Sequence, residues 1–466
     1  MDFKSVFSHV GTILEIFGIL ALIPIFISFI YEEGIYTPFF LTAVLSFGFG
    51  TVLDRRFPKT DLNLGSAMGV ASISFILISL LGAIPYLPYA SPLDAVFESV
   101  SGITTTSLTI FIPDSLPNSI IFWRSFTQWI GGVGILLIFL LLVRSPGMAS
   151  YYLYKAEAKE EKIEASVGHT VKRTFKIYGI YTIIGIILLT AVGMPVFDSV
   201  INTFSSISTG GFSSKADSIA GYANPAAEFI IILLMIVGAT SFFIHDKFLR
   251  RQFLYYTQNI ETRIFWLLIG IFSVLLSISF LGMSDPLRHG IFMAFSALTT
   301  TGFTTITQFP AVTKLLLIIL MVIGGYAGST AGGIKIIRFA IIGKSFAWLG
   351  KKISYPQEAV IPFKIKDKLL KDHELTIISL FVVVYMVILI ISALALSFLG
   401  YAPFDAAFEV TSAQGNVGLS VLPLETMHWT GKLVLIVNML LGRLEIFPFL
   451  VLIYAIYRRK IKHAHY

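Results

Sequence analysis

The chain has 466 residues, 56% of them apolar and 13% charged, with 41 Phe, 37 Gly and no Cys. Soluble domains carry about 25% charged residues, so this composition excludes a soluble globular protein, and the missing cysteines exclude disulfides, thiol redox chemistry and thiolate metal sites. The net charge of +7 would suit nucleic acid, but the cations sit in separated clusters that argue against that partner.

Apolar runs of the ~20 residues needed to cross a bilayer recur along the chain. The first, over 6–31, is long and lacks a small-residue cleavage site after a short core, so it reads as a retained helix rather than a signal peptide. A second helix over 36–53 follows an acidic turn at Glu32 and Glu33. Four similar units come next, over 65–143, 174–249, 263–343 and 374–457. Each is expected to hold a spanning helix leading out, a half-length helix re-entering after Pro92, Pro195, Pro286 or Pro403, a polar loop, and a second spanning helix leading in. Two helices plus eight make ten spans. The domain reading is therefore 1–60 for the two extra N-terminal helices, 61–150 for repeat one, 151–250 for repeat two, 251–345 for repeat three with a broken helix, and 346–466 for repeat four with a basic tail.

The repeat is visible in the letters. Pro92-Leu93-Asp94-Ala95-Val96-Phe97-Glu98 returns as Pro403-Phe404-Asp405-Ala406-Ala407-Phe408-Glu409. Asp94, Asp198 and Asp405 stand at one spacing from Ser107, Gly211 and Gly418, and His289 stands at that spacing from Gly302. Such internal symmetry marks a repeat architecture. Lys and Arg cluster at Lys4, at Arg55, Arg56 and Lys59, from Arg144 to Lys176, from Lys247 to Arg263, from Lys344 to Lys371, and at Arg458, Arg459, Lys460 and Lys462. By the positive-inside bias these segments and both termini are cytoplasmic, and the polar loops lie on the outer side.

Four loops carry the chemistry: Thr104-Thr105-Thr106-Ser107, Ser208-Thr209-Gly210-Gly211, Thr299-Thr300-Thr301-Gly302 and Gly415-Asn416-Val417-Gly418. Irregular backbone at membrane depth is tolerated only where it is buried in protein or lines a wet cavity. Four loops meeting on an axis would replace an ion's water shell with carbonyl and hydroxyl oxygens. Three of the short helices start with proline and, two or three residues on, an aspartate, a favourable start. The C-terminal end of each short helix turns partial negative charge toward the centre, which favours a cation. No Lys or Arg lies in any of the four loops. The expected ion-binding residues are Thr105, Thr106, Ser107, Thr209, Gly210, Gly211, Thr300, Thr301, Gly302, Asn416, Val417 and Gly418. Glu98 and Glu409, one turn beyond Asp94 and Asp405, are expected to brace the short helices rather than hold the ion, and Arg124 to anchor at the outer interface or support the loops.

In repeat three, Gly324, Gly325, Gly328, Ser329, Thr330, Gly332 and Gly333 crowd one short stretch of an otherwise apolar span. Glycine is worth up to ~1 kcal/mol less than Ala per helical site, so the stretch should be irregular and is placed to block a pore; close helix packing through small residues is the alternative. Arg443 sits about eleven residues into the last helix, where a charge costs ~2.5–3.5 kcal/mol. It is expected beside that stretch, bonding its carbonyls, with Lys335 a lesser candidate. A pair with Glu445 is poor, since residues two apart on a helix do not face each other. Gly328 to Lys335 is no nucleotide loop, because Ile334 separates Gly333 from Lys335 and no soluble strand precedes it. The eight histidines form no metal spacing.

Phe97-Glu98-Ser99 through Thr109, Trp123 through Gly132, Thr209 through Phe212, Thr299 through Phe303, Gly324 through Lys335 and Leu441 through Phe447 together resemble the Trk/Ktr/HKT superfamily of potassium transporters, in its TrkH/TrkG-like membrane subunit. The likeness covers nearly the whole chain. It implies an all-α membrane protein with four pseudo-symmetric helix–pore helix–loop–helix repeats around a central pore, plus two N-terminal helices. It implies K⁺ uptake across the cell membrane through a selectivity filter, a flexible gate loop with Arg443 beside it, and a homodimer docked on a cytoplasmic TrkA-like nucleotide-binding ring. This chain is expected to bind no cofactor; ATP/ADP or NAD(H) control would come from that partner. The rivals are a Na⁺-permeable channel of the same fold, an H⁺- or Na⁺-coupled potassium symporter, and a membrane enzyme, for which no nucleophile, base or metal cluster stands out. Ser107 departs from the family's four glycines. In the plant HKT branch serine at this place accompanies sodium permeability, which implies weaker K⁺ over Na⁺ discrimination here.

Overall fold

The structure is a computed structural model that describes every residue except 59, 61, 135–136, 138–166, 357–360, 366–367, 371 and 465–466. Arg144, Lys155, Lys159 and Lys162, assigned to a cytoplasmic basic loop, lie outside the described residues, as does part of the inward helix of repeat one.

The fold is all-α, and its outgoing and short helices match the fourfold expectation. Outgoing helices run over Leu64–Gly82, Val167–Ala191, Ile260–Ser279 and Asp372–Phe398. Short helices follow over Pro92–Ile103, Val196–Ile207, Pro286–Leu298 and Pro403–Gln414. Inward helices then begin at Asn118, Pro225, Ala311 and Trp429. A proline or a polar residue starts most of these helices because its fixed φ or its side-chain acceptor suits a first turn; Asn224, for example, accepts from Ala226 N and Ala227 N. The described helices include six long and apolar enough to cross a membrane, or eight if two sharply bent pairs count as one span each. The expected ten would also need Asn118–Val133 and the shorter Ala311–Ile323.

The inward helices differ from the expectation. Three of the four break into separate described helices. Pro225–Ala239 and Phe242–Leu249 meet at 106°, and so do Trp429–Arg443 and Phe447–Arg458. In repeat three the helix stops at Ile323 and resumes at Ile336. Asn118–Val133 of repeat one ends before Gly134, at φ +96°. Arg443 is thus the last residue of its helix, not a mid-helix charge. The stretch 344–354, expected as loop, continues the helix Ile336–Ser354 with Lys351 and Lys352 in its last turn, and Lys364–Ile365 pairs with Lys368–Leu369 in a small hairpin.

The N-terminal helices pack against repeat one. The first is interrupted after Leu20 and resumes at Ile23, and the second spans Thr37–Arg56. They cross where Gly11 and Gly50 face each other; a Cβ on either would lie 2.6 Å from the other's carbonyl oxygen. Small residues let membrane helices approach this closely. In the turn between them, Glu33 accepts from Asn118 N at 2.5 Å and Ser119 N at 3.0 Å, capping the inward helix of repeat one. Large apolar side chains on the outward faces, such as Phe398 at 89% exposure, suit hydrocarbon. The polar loops lie inside, almost wholly buried, where the four repeats converge.

Candidate functional site

Each short helix ends in the same hydrogen-bonded turn. The C-caps are Thr104, Ser208, Thr299 and Gly415. The next residue turns left-handed: Thr105 at φ +56°, Thr209 at +52°, Thr300 at +57° and Asn416 at +52°. The third residue's N–H then reaches back five residues, to Ser101 O, Ser205 O, Ser296 O and Ser412 O, at 2.7–3.0 Å. This is the Schellman arrangement, which caps the helix's last carbonyls and is usually made with glycine. Threonine there is a backbone outlier, and such strain persists where the surroundings impose it.

A second left-handed residue follows two places on: Ser107 at +59°, Gly211 at +83°, Gly302 at +81° and Gly418 at +99°. These four residues lock the loops to one another. A Cβ on Gly211 would lie 1.9 Å from Thr301 O, one on Gly302 1.9 Å from Val417 O, and one on Gly418 2.0 Å from Thr106 O. Loop two thus abuts loop three, loop three abuts loop four, and loop four abuts loop one. Third-position carbonyls line this circle, and all twelve expected ion-binding residues fall on it. Ser107 Oγ would be 2.8, 3.0 and 1.8 Å from Cβ atoms on Gly211, Gly302 and Gly418. Its hydroxyl therefore projects among the three glycines, and it donates to Val417 O at 3.3 Å.

Buried carboxylates hold the outward course of two loops. Glu98 accepts from Thr109 Oγ1 at 2.9 Å and Ile110 N at 3.1 Å. Glu409 accepts from Ser420 Oγ at 2.8 Å and Val421 N at 3.0 Å. Glu98 also pairs with Arg124 at 2.7 Å, both fully buried. The Arg124 guanidinium reaches Thr109 Oγ1 and lies 4.1 Å from the Phe212 ring centre, so it ties loop one to loop two. At the outer ends of the short helices, Lys432 meets Asp94 at 2.5 Å and Lys314 meets Asp405 at 2.6 Å, each pair joining neighbouring repeats.

On the inner side of the ring, residues 324–335 fold back on themselves. Ile334 N, Lys335 N and Ile336 N donate to Val322 O, Ile323 O and Gly325 O. Gly324, Gly328, Gly333 and Lys335 all have positive φ. The neighbouring broken helices supply the partners. Tyr326 N donates to Ala239 O and Thr330 N to Gly238 O, carbonyls freed where the repeat-two helix breaks. Thr330 Oγ1 donates to Ile207 O at 3.0 Å and Gly238 O at 2.8 Å, and accepts from Thr209 Oγ1 at 3.2 Å. Gly332 N donates to Thr300 Oγ1 at 2.7 Å. A Cβ on Gly332 would meet Gly415 O at 2.1 Å. The segment therefore lies directly against the inner ends of loops two, three and four.

Arg443 donates to Thr330 O at 3.0 Å, Thr105 Oγ1 at 3.2 Å and Gly132 O at 3.2 Å, and also to Gly131 O. Glu445 pairs with Arg338 instead. Lys335 turns back to Ala331 O within its own segment, and Gly325, Gly328 and Ser329 sit in the same fold. Every residue expected at the irregular stretch is thus brought together, at the inner face of the ring. The left-handed second position of loops one, two and three uses its hydroxyl to bond Arg443, Thr330 and Gly332, a reason for threonine where glycine would be easier.

Two features were missed in the sequence. One is the break in the inward helices of repeats two and four. Aligned on their N-caps at Pro117, Asn224, Pro310 and His428, the four helices share glycine at Gly131, Gly238, Gly324 and Gly442, followed by Gly132, Ala239, Gly325 and Arg443. The other is Gln128, which the same alignment sets opposite Met235, Met321 and Met439.

Comparison with known proteins agrees with this geometry. The TrkH family of cation transport proteins matches residues 37–460. An uncharacterised cation transporter of Methanocaldococcus jannaschii is 38% identical over 99% of this chain and 97% of its own. The Trk system potassium uptake protein TrkH of Salmonella typhimurium is 31% identical, covering 97% of this chain and 98% of its own. The crystal structure of the potassium transporter TrkH from Vibrio parahaemolyticus superposes with a TM-score of 0.86 at 28% identity, covering 97% and 98%. With sequence and overall fold shared along nearly the full length, this multi-pass membrane protein belongs to the TrkH family of cation transporters, not to a family of enzymes.

Proposed function

We propose that the chain mediates potassium uptake across the cell membrane, through a pore whose selectivity filter is the ring of four loops and whose gate is the segment 324–335. The observation that carries this reading is the circle of contacts Gly211–Thr301, Gly302–Val417 and Gly418–Thr106, closed by Ser107 Oγ beside Gly211. It brings the loops of all four repeats around one centre, with backbone and hydroxyl oxygens of the kind by which a dehydrated monovalent cation is held. Four helix C-termini point their partial negative charge at that centre. Uptake needs no energy source beyond the inside-negative potential, worth ~2.3 kcal/mol per charge per 100 mV.

The gate reading rests on position. Residues 324–335 and Arg443 press on the inner ends of the loops, so an ion leaving the ring inward meets folded backbone and a positive charge. Opening requires the Thr330 and Gly332 bonds to give way. The cytoplasmic continuation, Ile336–Ser354, follows that segment directly and offers a lever to a nucleotide-binding partner that responds to ATP/ADP or NAD(H). Both termini in the cytoplasm fit the charge distribution, and the family resemblance implies a homodimer.

Ser107 sets the selectivity expectation. Its hydroxyl stands among three glycines, so the ring is not fourfold and K⁺ over Na⁺ discrimination is weaker than in a four-glycine ring. The test is ion flux into liposomes holding the purified chain, alone and with its cytoplasmic partner, under K⁺, Rb⁺, Na⁺ and Li⁺ gradients in turn. K⁺ and Rb⁺ flux exceeding Na⁺ and Li⁺ flux is expected, with the margin widening in Ser107→Gly. Flux that depends on a Na⁺ or H⁺ gradient would favour the coupled symporter, and silence for every ion with the partner present would end the pore reading.

A further inference from the structure

Aligned on their N-caps, the inward helices carry methionine at one position in three repeats and glutamine in the first. Met235, Met321 and Met439 are fully buried at the position that Gln128 occupies in repeat one. Gln128 is equally buried, and its amide is bonded at both ends to loop two: Nε2 donates to Gly210 O at 2.9 Å, and Oε1 accepts from Phe212 N at 3.1 Å. Loop two is also the one whose third residue lacks a side chain; the others carry Thr106, Thr301 and Val417. A Cβ on Gly210 would sit 2.5 Å from Gln128 Cδ and Oε1. The amide thus fills the space that a third-position side chain takes elsewhere.

The same edge of the ring holds Ser107. By the order of the other contacts, the fourth residue of each loop faces the third carbonyl of the next, so Ser107 faces loop two and Gly210. At the three glycine positions a Cβ would collide with that carbonyl at 1.9–2.0 Å. Ser107 carries a Cβ and has the smallest φ of the four, +59°. Gly210 O is the carbonyl that must make room, and it is the one drawn onto a side-chain amide from behind.

We propose that Gln128 is a specificity-determining positioning residue, which holds the Gly210 carbonyl back so that the ring accommodates Ser107, the two acting as a coupled pair. This rests on the reading of the ring as a cation filter. Losing the Gln128 bond frees an oxygen that then competes with the Ser107 side chain, changing which cation fits.

The test is thermal stability of the purified full chain in KCl, RbCl, NaCl or choline chloride at fixed ionic strength. Binding to the native state raises stability with ligand concentration, and this readout needs no open gate. The variants are Gln128→Met, Gln128→Glu, Ser107→Gly and the double Ser107→Gly/Gln128→Met. Gln128→Met takes the residue of the other three repeats, and Gln128→Glu keeps the acceptor for Phe212 N but loses the donor to Gly210 O. Gly210→Ala, which pushes the amide away from the loop side, is the alternative should the Gln128 variants not fold.

Gln128→Met and Gln128→Glu are each expected to change the ratio of apparent K⁺ to Na⁺ affinities by roughly threefold to tenfold, the scale of one net hydrogen bond. In the Ser107→Gly background the Gln128→Met effect is expected to shrink to near nothing. A K⁺-preferring wild type whose ratio is unmoved by these variants, or one in which the two substitutions are simply additive, overturns the proposal and leaves the filter reading intact. A wild type stabilised equally by every salt, choline included, overturns both.

Discussion

The outer and inner layers of this molecule are built from the same four repeats and obey opposite rules. In the outer layer the four loops share one backbone course: a Schellman turn, a left-handed second residue and a left-handed fourth residue. In the inner layer the four inward helices diverge. One ends before Gly134, one kinks at Thr240–Ser241, one opens into twelve irregular residues, and one ends on Arg443. The contrast has a physical cause. An ion on an axis is coordinated best by oxygens arriving alike from every side, so the ring gains from repetition. On the proposed pore reading only one segment can occupy the axis beneath the ring, and the other three helices serve as its supports. Outer-layer substitutions should therefore alter whether and which ion binds, and inner-layer ones how often it passes.

The largest effect is expected in the outer layer from Gly302→Ala. Its Cβ would lie 1.9 Å from a backbone oxygen that cannot swing away, at a φ that costs a side chain ~1–3 kcal/mol. Potassium uptake in cells lacking other uptake systems should fall to background; growth at low K⁺ as good as wild type would break the claim that the ring is closed. Next is Glu98→Gln. It leaves Arg124 buried without its carboxylate, which costs ~3–5 kcal/mol, whereas Glu409→Gln loses acceptor strength worth ~1–3 kcal/mol. Thermal unfolding in detergent should rank the two in that order, and equal losses would mean that the Arg124 pair adds nothing.

The inner layer should respond differently. Thr330→Val removes the hydroxyl bonds to Ile207 O, Gly238 O and Thr209. At ~1 kcal/mol net per bond, K⁺ flux should rise by ~5-fold or more, with the K⁺ to Na⁺ ratio unchanged. A changed ratio would show that the segment shapes the ring itself. The smallest effect is expected from Glu445→Gln, which weakens the pair with Arg338 just inward of the segment. The glutamine keeps an acceptor for Arg338, so at ~0.5–1 kcal/mol net flux should rise by about fivefold at most in liposomes.

How much of this was legible follows the same division. The outer layer repeats in the letters, so the Asp94 and Asp405 motifs, the four loops and the bracing carboxylates Glu98 and Glu409 could be found by eye. Repeat three announced its break through Gly324 to Gly333. The breaks at Thr240 and Leu444 gave little warning, because a kink made by hydrogen bonds to another segment leaves no local glycine excess. Gln128 was hidden inside an apolar helix, readable only once the four inward helices were aligned on their caps.

By itself, then, the sequence determined the all-α membrane class, the four units, the polar loops and the irregular stretch. Hydrophobic length, proline and glycine act locally and recur at fixed spacing. Tertiary structure alone decided that the loops close into a ring in the order one to four, that Arg443 ends a helix and also bonds Thr105 and Gly132, and that Ser107 projects among three glycines. Those facts depend on contacts between residues more than three hundred positions apart, whose geometry is set by packing and not by any single stretch of chain.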